Sequence, residues 1–471
     1  MAAENRTQHE VRLFAIAGAL LLALCFCFGG NSAQGNWGTT AASLLAVPVL
    51  VLAVFRSGIS AQASVVRWGM LVAVAILLIP SLQLLPLPAF LWSLPAARPP
   101  LLHDLETAGV MGLDLRWSLM PATTEREIWF LLPGIALFFC MQVIGHRGWR
   151  PMLWLLVTLA LANLMFAVVQ IAAGRDSPLN LYPAYAPQWG GIFANSNHQA
   201  DMLALALMLV LVLIGRAWRR ARERGHYGAE LGALAGLALI FAIALPIVGS
   251  RAGVIIVMLM LLAVLASSGL AKFRVLRESR VRLAGVVLAV VVLIIGLHAA
   301  VGWLRIDADA DSTADSRARM SSETLKVGID HAPWGAGVGS FIPAYQQGAR
   351  NDGLMNVYVN NAHNDYAQWW LEAGILGVAV TLLALGVLVR TLVRLLRLPL
   401  KSSTRTCGLA AMMGIGVIVL HSMVDYPLRT QALMAVFAVL AGIAVAAAGA
   451  KAEAAQRRER SGPGRRRSGQ I

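Results

Sequence analysis

Two kinds of residue in this chain carry chemistry in unexpected surroundings. The stretch "NNAHNDYAQWWLEAGILG", Asn360 to Gly377, sets His363 and Asn364 immediately before an apolar run, and "IVGSRAGVII" sets Arg251 between two apolar runs with only Gly249, Ser250, Ala252 and Gly253 about it. An imidazole that titrates near neutrality is suited to taking a proton from a hydroxyl. A guanidinium is a permanent, bidentate partner for phosphate or carboxylate. Each has a plainer explanation: His363 as a helix cap beside Asn364, Arg251 as a side chain snorkelling to the lipid headgroups.

Further polar candidates occur along the chain. "FANSNHQADML" brings Asn197 and His198 to the start of an apolar run, where Asn197 is either a cap or part of a sugar-binding face. Arg317 and Arg319 open "RMSSETLKVGIDHAPWG", Tyr366 and Glu372 follow His363, and Asp425 lies in "HSMVDYPL". Glu372 is expected to orient substrate or to pair with an arginine, since an unpaired carboxylate at membrane depth is costly. Trp369 and Trp370 read as interface anchors, although aromatic faces also stack on sugars.

No metal site is expected. Asp307, Asp309 and Asp311 have the alternate spacing of a calcium loop, but its sixth position is Ser312 rather than Gly and its twelfth is Ala318 rather than Glu. "GAGVGS" resembles a phosphate-cradling loop only loosely, lacking the following Lys-Ser/Thr, and is better read as a tight turn. "CFC" (Cys25, Cys27), Cys140 and Cys407 lie in or beside apolar runs, so helix packing is expected and no disulfide.

The elements that must position these residues follow from composition. Of 471 residues, 58% are hydrophobic and 13% charged, and mean hydropathy is +0.68, which excludes a water-soluble globular domain. Apolar runs near the ~20 residues that span a bilayer fall at 11–29, 39–55, 66–83, 128–144, 151–173, 198–215, 229–249, 253–269, 283–303, 370–389, 408–424 and 430–449. The expectation is an all-α integral membrane protein of about twelve spans, the first retained because "GGNSAQG" offers no clean cleavage site.

With both termini cytoplasmic, 28 of the 39 Lys and Arg fall inside, as do 7 of the 24 acidic residues, giving a net charge of +21 within and −6 without. The net +15 therefore expresses topology and contact with membrane lipids; no nucleic-acid partner is expected. Residues 84–127, 174–197, 250–252 and 304–369 then face outward. The first, "LPLPAFLWSLPAARPPLL", either docks on the protein or lies as an interfacial hairpin guiding a lipid substrate.

Here the pattern reaches a family. His363-Asn364, nine residues, Gly374, two residues, Gly377, within a large outward loop between spans 9 and 10, resembles the signature of the O-antigen ligase and polymerase superfamily. "FANSNHQADML", "GSRAG", Arg319 and "PWGAGVGSF" before it and "HSMVDYPL" after it lie along the chain in the family's order, so the resemblance spans roughly 190–430. It divides the chain into N-terminal helices (1–173, with the loop 84–127), a catalytic region (174–430, with the periplasmic loop 304–369) and a last helix with a basic tail (431–471).

The resemblance implies a C-type glycosyltransferase of the bacterial inner membrane that needs neither metal nor cofactor. Such an enzyme moves glycan from an undecaprenyl-pyrophosphate carrier to a lipid or glycan acceptor hydroxyl on the periplasmic face. His363 would be the general base and Arg251 and Arg319 the pyrophosphate clamp. Arg317, Asn197, His198, Asn364, Tyr366, Glu372 and Asp425 would bind substrate. Ligase, polymerase and protein O-oligosaccharyltransferase remain alternatives. So does a secondary transporter, although spans 1 to 5 carry almost no charge and the polar groups gather at the outer ends.

Overall fold

The computed structural model describes residues 2–32, 35–59, 62–110, 114–183, 189–225, 228–267, 310–349 and 358–460. Within them the chain is built of helices: α1 (Ala2–Phe28), α2 (Trp37–Arg56), α3 (Ser64–Gln83), α4 (Ala89–Trp92), α5 (Arg98–Thr107), α6 (Pro121–Ala173), α7 (Ser196–Arg224), α8 (Ala229–Val248) and α9 (Arg251–Ser267). After these come α10 (Ala310–Asp330), α11 (Phe341–Gly348), α12 (Asp365–Leu396), α13 (Ser403–His421) and α14 (Gln431–Arg460). Among the described residues nine helices are long and apolar enough to cross a membrane. The apolar run 283–303, Asp307 and Asp309 lie outside the described residues, as does the side chain of Asp311.

The 53-residue α6 answers two expected runs at once. Gly145 leaves helical geometry at φ 60°, ψ −168° and breaks it into two arms, a conformation that glycine adopts without a Cβ penalty. Each arm, at ~1.5 Å per residue, is long enough for the ~30 Å of hydrocarbon. α9 takes up the run expected at 253–269 as far as Ser267.

The bundle is layered around two helices. In α7 and α14, 72% and 78% of the apolar window is buried, against 17% for α12. Small residues let the central helices approach: Ala444, Ala447 and Ala448 of α14 are buried, and a Cβ on Gly442 would lie 2.7 Å from Met141 of α6. On the periphery, Ile16 and Leu20 of α1, Phe55 of α2, and Leu382 and Val389 of α12 are exposed, which suits lipid and not water. All four cysteines are free.

One end of the bundle gathers the polar residues. The last residues of α1, α3 and α13 meet the first residues of α7, α12 and α14 there: Ala432 N–H donates to Gly29 O (3.0 Å) and Ala194 N–H to Gly30 O (3.0 Å), while Gln83 Nε2 donates to Glu372 O (2.9 Å). Three asparagines start helices at this end, each with a side-chain oxygen accepting from a backbone N–H of the first turn. They are Asn36 for α2, Asn195 for α7 and Asn364 for α12.

Candidate functional site

The polar end is organised around Asp425. α13 stops at His421, whose carbonyl accepts from the N–H groups of both Val424 and Asp425 (2.9 Å each), and Pro427 opens the 3-10 turn Pro427–Arg429 that leads into α14. This tight connection turns the Asp425 carboxylate inward, where it is fully buried. Buried carboxylates need partners, and Asp425 has several. His363 Nδ1 lies 3.2 Å from Oδ1. Asn197 Nδ2 donates to Oδ2 at 2.6 Å, Asn195 Nδ2 at 3.2 Å, and Arg317 pairs with Oδ2 at 3.6 Å. Burial pushes its carboxyl upward. The His363 hydrogen bond, with His198 and Arg317 nearby, outweighs that and holds it well below the usual carboxylate range.

His363 is presented by strained backbone. It is the one non-glycine residue with positive φ among the described residues, at φ 50°, a conformation that costs a bulky residue ~1–3 kcal/mol and clusters at functional sites. Its ring packs edge-on against Tyr426, 4.8 Å between centroids. The carboxylate beside Nδ1 favours the proton on that nitrogen and leaves the Nε2 lone pair for another partner. The cap explanation belongs to its neighbour: Asn364 accepts from the N–H groups of Tyr366 and Ala367 (3.0 Å each). Asn195, not Asn197, caps α7, so Asn197 is released to hold Asp425.

A second ionic layer lies behind the first. Arg429 donates to Glu372 Oε2 at 2.6 Å and pairs with Asp365 at 3.6 Å, and Gln368 Nε2 donates to the other Glu372 oxygen at 3.3 Å. Glu372 is therefore paired with an arginine, the structural alternative raised by its position. Burial disfavours the Arg429 cation, but Glu372, Asp365 and Glu127 together raise it above its ordinary value. Asp201 of α7 bonds Nδ1 of His421, both fully buried, and His198 sits edge-on to Tyr426 at 5.0 Å. Arg429 escaped the sequence reading, and Asp201, Asp365 and His421 entered it only within the polar stretches "FANSNHQADML", "NNAHNDYAQWWLEAGILG" and "HSMVDYPL", without the pairings seen here.

The glycines of the motif explain how α12 is held. At Gly374 the helix departs to φ 59°, ψ −146°. The break frees the carbonyls of Leu371 and Glu372 to accept from Ala336 (2.8 Å) and Gly337 (2.9 Å), while Ile375 N–H donates to Pro333 O (3.0 Å). The segment from Pro333 to Val338 thus lies along the broken helix. A Cβ on Gly374 would stand 2.2 Å from the Pro333 carbonyl oxygen, and one on Gly335 2.5 Å from that of Glu372. Gly377 makes room for Trp369, whose Nε1 donates to Gly377 O (3.0 Å).

The loop 84–127 clamps that segment from the other side. Arg98, fully buried, donates to Trp117 O (2.6 Å) and Gly335 O (3.0 Å) and lies over the Trp92 ring. Trp117 Nε1 donates to Trp334 O, and Trp334 Nε1 to Leu91 O. With Trp92 and Trp117 both buried, the loop docks on protein, the first of the two roles considered for it. Trp370 also packs internally, donating to Leu325 O of α10 (3.2 Å) across Gly328. Tyr366 OH donates to Val419 O (2.8 Å), tying α12 to α13.

The arginines divide. Residues i and i+2 of a helix point ~200° apart, so α10 turns one of its pair inward: Arg317 reaches Asp425, and Arg319 is exposed. Arg251 is exposed at the first turn of α9. A Cβ on Gly253 would lie 3.1 Å from Ala200 Cβ, so Arg251 stands at the same end of the bundle as Asn197 and His198. Among the described residues no group of three or more His, Cys, Asp or Glu is arranged to hold a metal ion.

Residues 236–382 match the O-antigen ligase family. The match takes in Arg251, Arg317, Arg319, His363 and Glu372 and stops before Asp425. No curated protein matches the chain.

Proposed function

We propose that this chain, which the match supports as one of the O-antigen ligase/polymerase superfamily, transfers a glycan from a polyprenyl-pyrophosphate carrier to an acceptor hydroxyl at the polar end of its helices. A multi-pass membrane protein with ligase- or polymerase-type activity is the general reading; the lipid donor, the residues and the mechanism are the specific one. The observation that carries it is the contact of His363 Nδ1 with buried Asp425.

In this mechanism Nε2 of His363 accepts the proton of the acceptor hydroxyl as its oxygen attacks the anomeric carbon. The bond from that carbon to the pyrophosphate oxygen breaks with its electron pair, and lipid pyrophosphate departs. Asp425 holds the imidazole in the accepting tautomer and stabilises the imidazolium that forms, a carboxylate's role beside a catalytic histidine. Arg251 and Arg317 carry the charge that develops on the leaving pyrophosphate, as fixed cations do for phosphoryl oxygens. Arg319 is a further cation at the exposed surface of α10. Asn197 sets the Asp425 carboxylate, and Arg429, Glu372 and Asp365 set the loop that carries it.

One displacement inverts the anomeric configuration. The test is NMR of the product linkage formed by purified protein from a lipid-linked glycan of known configuration, with chelator present. Inversion is expected; retention, or dependence on a divalent cation, overturns the mechanism. The N-terminal helices (1–173) serve as a frame through Gln83 and Arg98, and the bacterial inner membrane, with the site on its periplasmic face, is the location this donor requires.

A further inference from the structure

At the same end of the bundle as His363 lies a cavity of about 280 Å³ between the segment that follows α1, α2, the first arm of α6 and the start of α14. Asn31, Thr40, Ser43, Arg126, Trp129 and Gln431 line it. Gln431 is 1% exposed, yet among the described residues neither its Oε1 nor its Nε2 has a hydrogen-bond partner. A buried amide with both ends unsatisfied is costly unless a ligand completes it.

The lining specifies the ligand. Ser43 Oγ directs its hydrogen to backbone, with Thr39 O at 3.0 Å and Trp129 O at 2.8 Å, and Thr40 Oγ1 donates to Asn36 O at 3.2 Å. Both hydroxyls are thereby left with lone pairs to accept a ligand's O–H. Gln431 adds one acceptor and one donor group, and Arg126 a cation at the exposed rim. Trp129, 42% exposed, offers an aromatic face. Acceptors of hydroxyl protons are of no use to a phosphate dianion, and a lipid tail, though it suits the apolar part of the wall made by Leu44, Trp129 and Phe130, would leave the buried Gln431 amide unpaired. A sugar ring, with hydroxyls that both donate and accept and an apolar face that stacks on tryptophan, satisfies every group. The volume sits near the lower end of the ~300–1,000 Å³ of ligand pockets, enough for a ring and not for a polymer.

We propose that this cavity is a carbohydrate subsite that seats one sugar of the acceptor glycan; the acceptor role rests on the function proposed above, the sugar binding does not. The segments that line it are tied to those of the first site. Asn361 Nδ2, two residues before His363, donates to Ser32 Oγ (3.2 Å), and Arg429, two residues before Gln431, holds Glu372.

The experiment is saturation-transfer NMR on the full chain in lipid nanodiscs, with methyl glycosides of glucose, galactose and N-acetylglucosamine as probes. At least one probe is expected to bind the wild type, and to bind His363→Ala equally. Gln431→Leu and Arg126→Ala should bind it at least ~5-fold more weakly, the equivalent of one hydrogen bond of about 1 kcal/mol. No saturation in the wild type, or equal saturation in Arg126→Ala and Gln431→Leu, overturns the subsite. Arg126 is exposed, so its variant keeps the test available if Gln431→Leu misfolds. Transfer is measured separately: its absence in the wild type, with sugar binding intact, counts against the proposed activity and not the cavity.

Discussion

Asp425→Asn probes the arrangement most sharply because it changes charge and hydrogen-bond direction without changing shape. In the native site both carboxylate oxygens accept: Oδ1 faces His363, and Oδ2 faces the Asn197 amide at 2.6 Å and Arg317 at 3.6 Å. An amide there turns an N–H₂ toward one of these donors. Pointed at Asn197, it leaves a buried donor clash of ~1–3 kcal/mol; pointed at His363, it forces the proton from Nδ1 to Nε2, the wrong tautomer for a base. The loss of a carboxylate beside a catalytic histidine costs ~10⁴-fold in the worked serine-protease case. We expect kcat to fall ~10²–10⁴-fold while the protein still purifies from the membrane as a single species. The assay is glycan transfer in proteoliposomes for Asp425→Asn, His363→Ala and the double variant. Residues acting as a unit are non-additive, so the double variant should be no slower than His363→Ala alone. Asp425→Asn activity within ~3-fold of wild type, or multiplicative losses in the double variant, would refute the coupling on which the tautomer argument depends.

Arg317→Ala should reduce transfer by at least ~10-fold, about the 1.4 kcal/mol of one charge-assisted contact, and Arg319→Ala by less, measured in the same vesicles. Gly374→Ala places a side chain at φ 59° and 2.2 Å from the Pro333 oxygen, so it should lower stability by ~1–3 kcal/mol, seen as a depressed thermal transition; an unchanged transition contradicts the break described for α12. Arg98→Ala removes two hydrogen bonds to Trp117 and Gly335 and should speed limited proteolysis within 84–127. His331 is held down at about 4 by burial and by the Arg98 charge, so below its ordinary 6.5 the unfolded chain binds the extra proton. Its contribution to stability is present above pH 6.5 and is lost as pH falls toward 4. The thermal transition of the wild type should drop over that window more than that of His331→Asn.

What the chain discloses by itself is set by which features are local. Hydropathy located the long apolar helices of the described residues because a span must be apolar over its own length, and the Gly374 and Gly377 spacing was visible through the family resemblance. A helix cap at this point was legible as a local feature, but it was assigned to His363, and the structure gives it to Asn364. The pairing of Asp425 with His363 crosses 62 residues, that of Asp201 with His421 crosses 220, and that of Gln83 with Glu372 crosses 289. No periodicity carries such separations. Arg317 and Arg319 are equivalent as residue types, and only the rotation of α10 distinguishes them. Gly145 likewise carries no sign in the sequence that it divides a continuous helix; the two apolar runs around it do.

The central claim is that His363 takes the acceptor's proton as lipid pyrophosphate leaves. The direct measurement is release of polyprenyl pyrophosphate from a lipid-linked glycan by purified protein with acceptor present, for the wild type against His363→Ala, both shown to be folded by their thermal transitions. Release by the wild type and its fall by at least ~10²-fold in His363→Ala is the predicted result. Release by folded His363→Ala at the wild-type rate would contradict it.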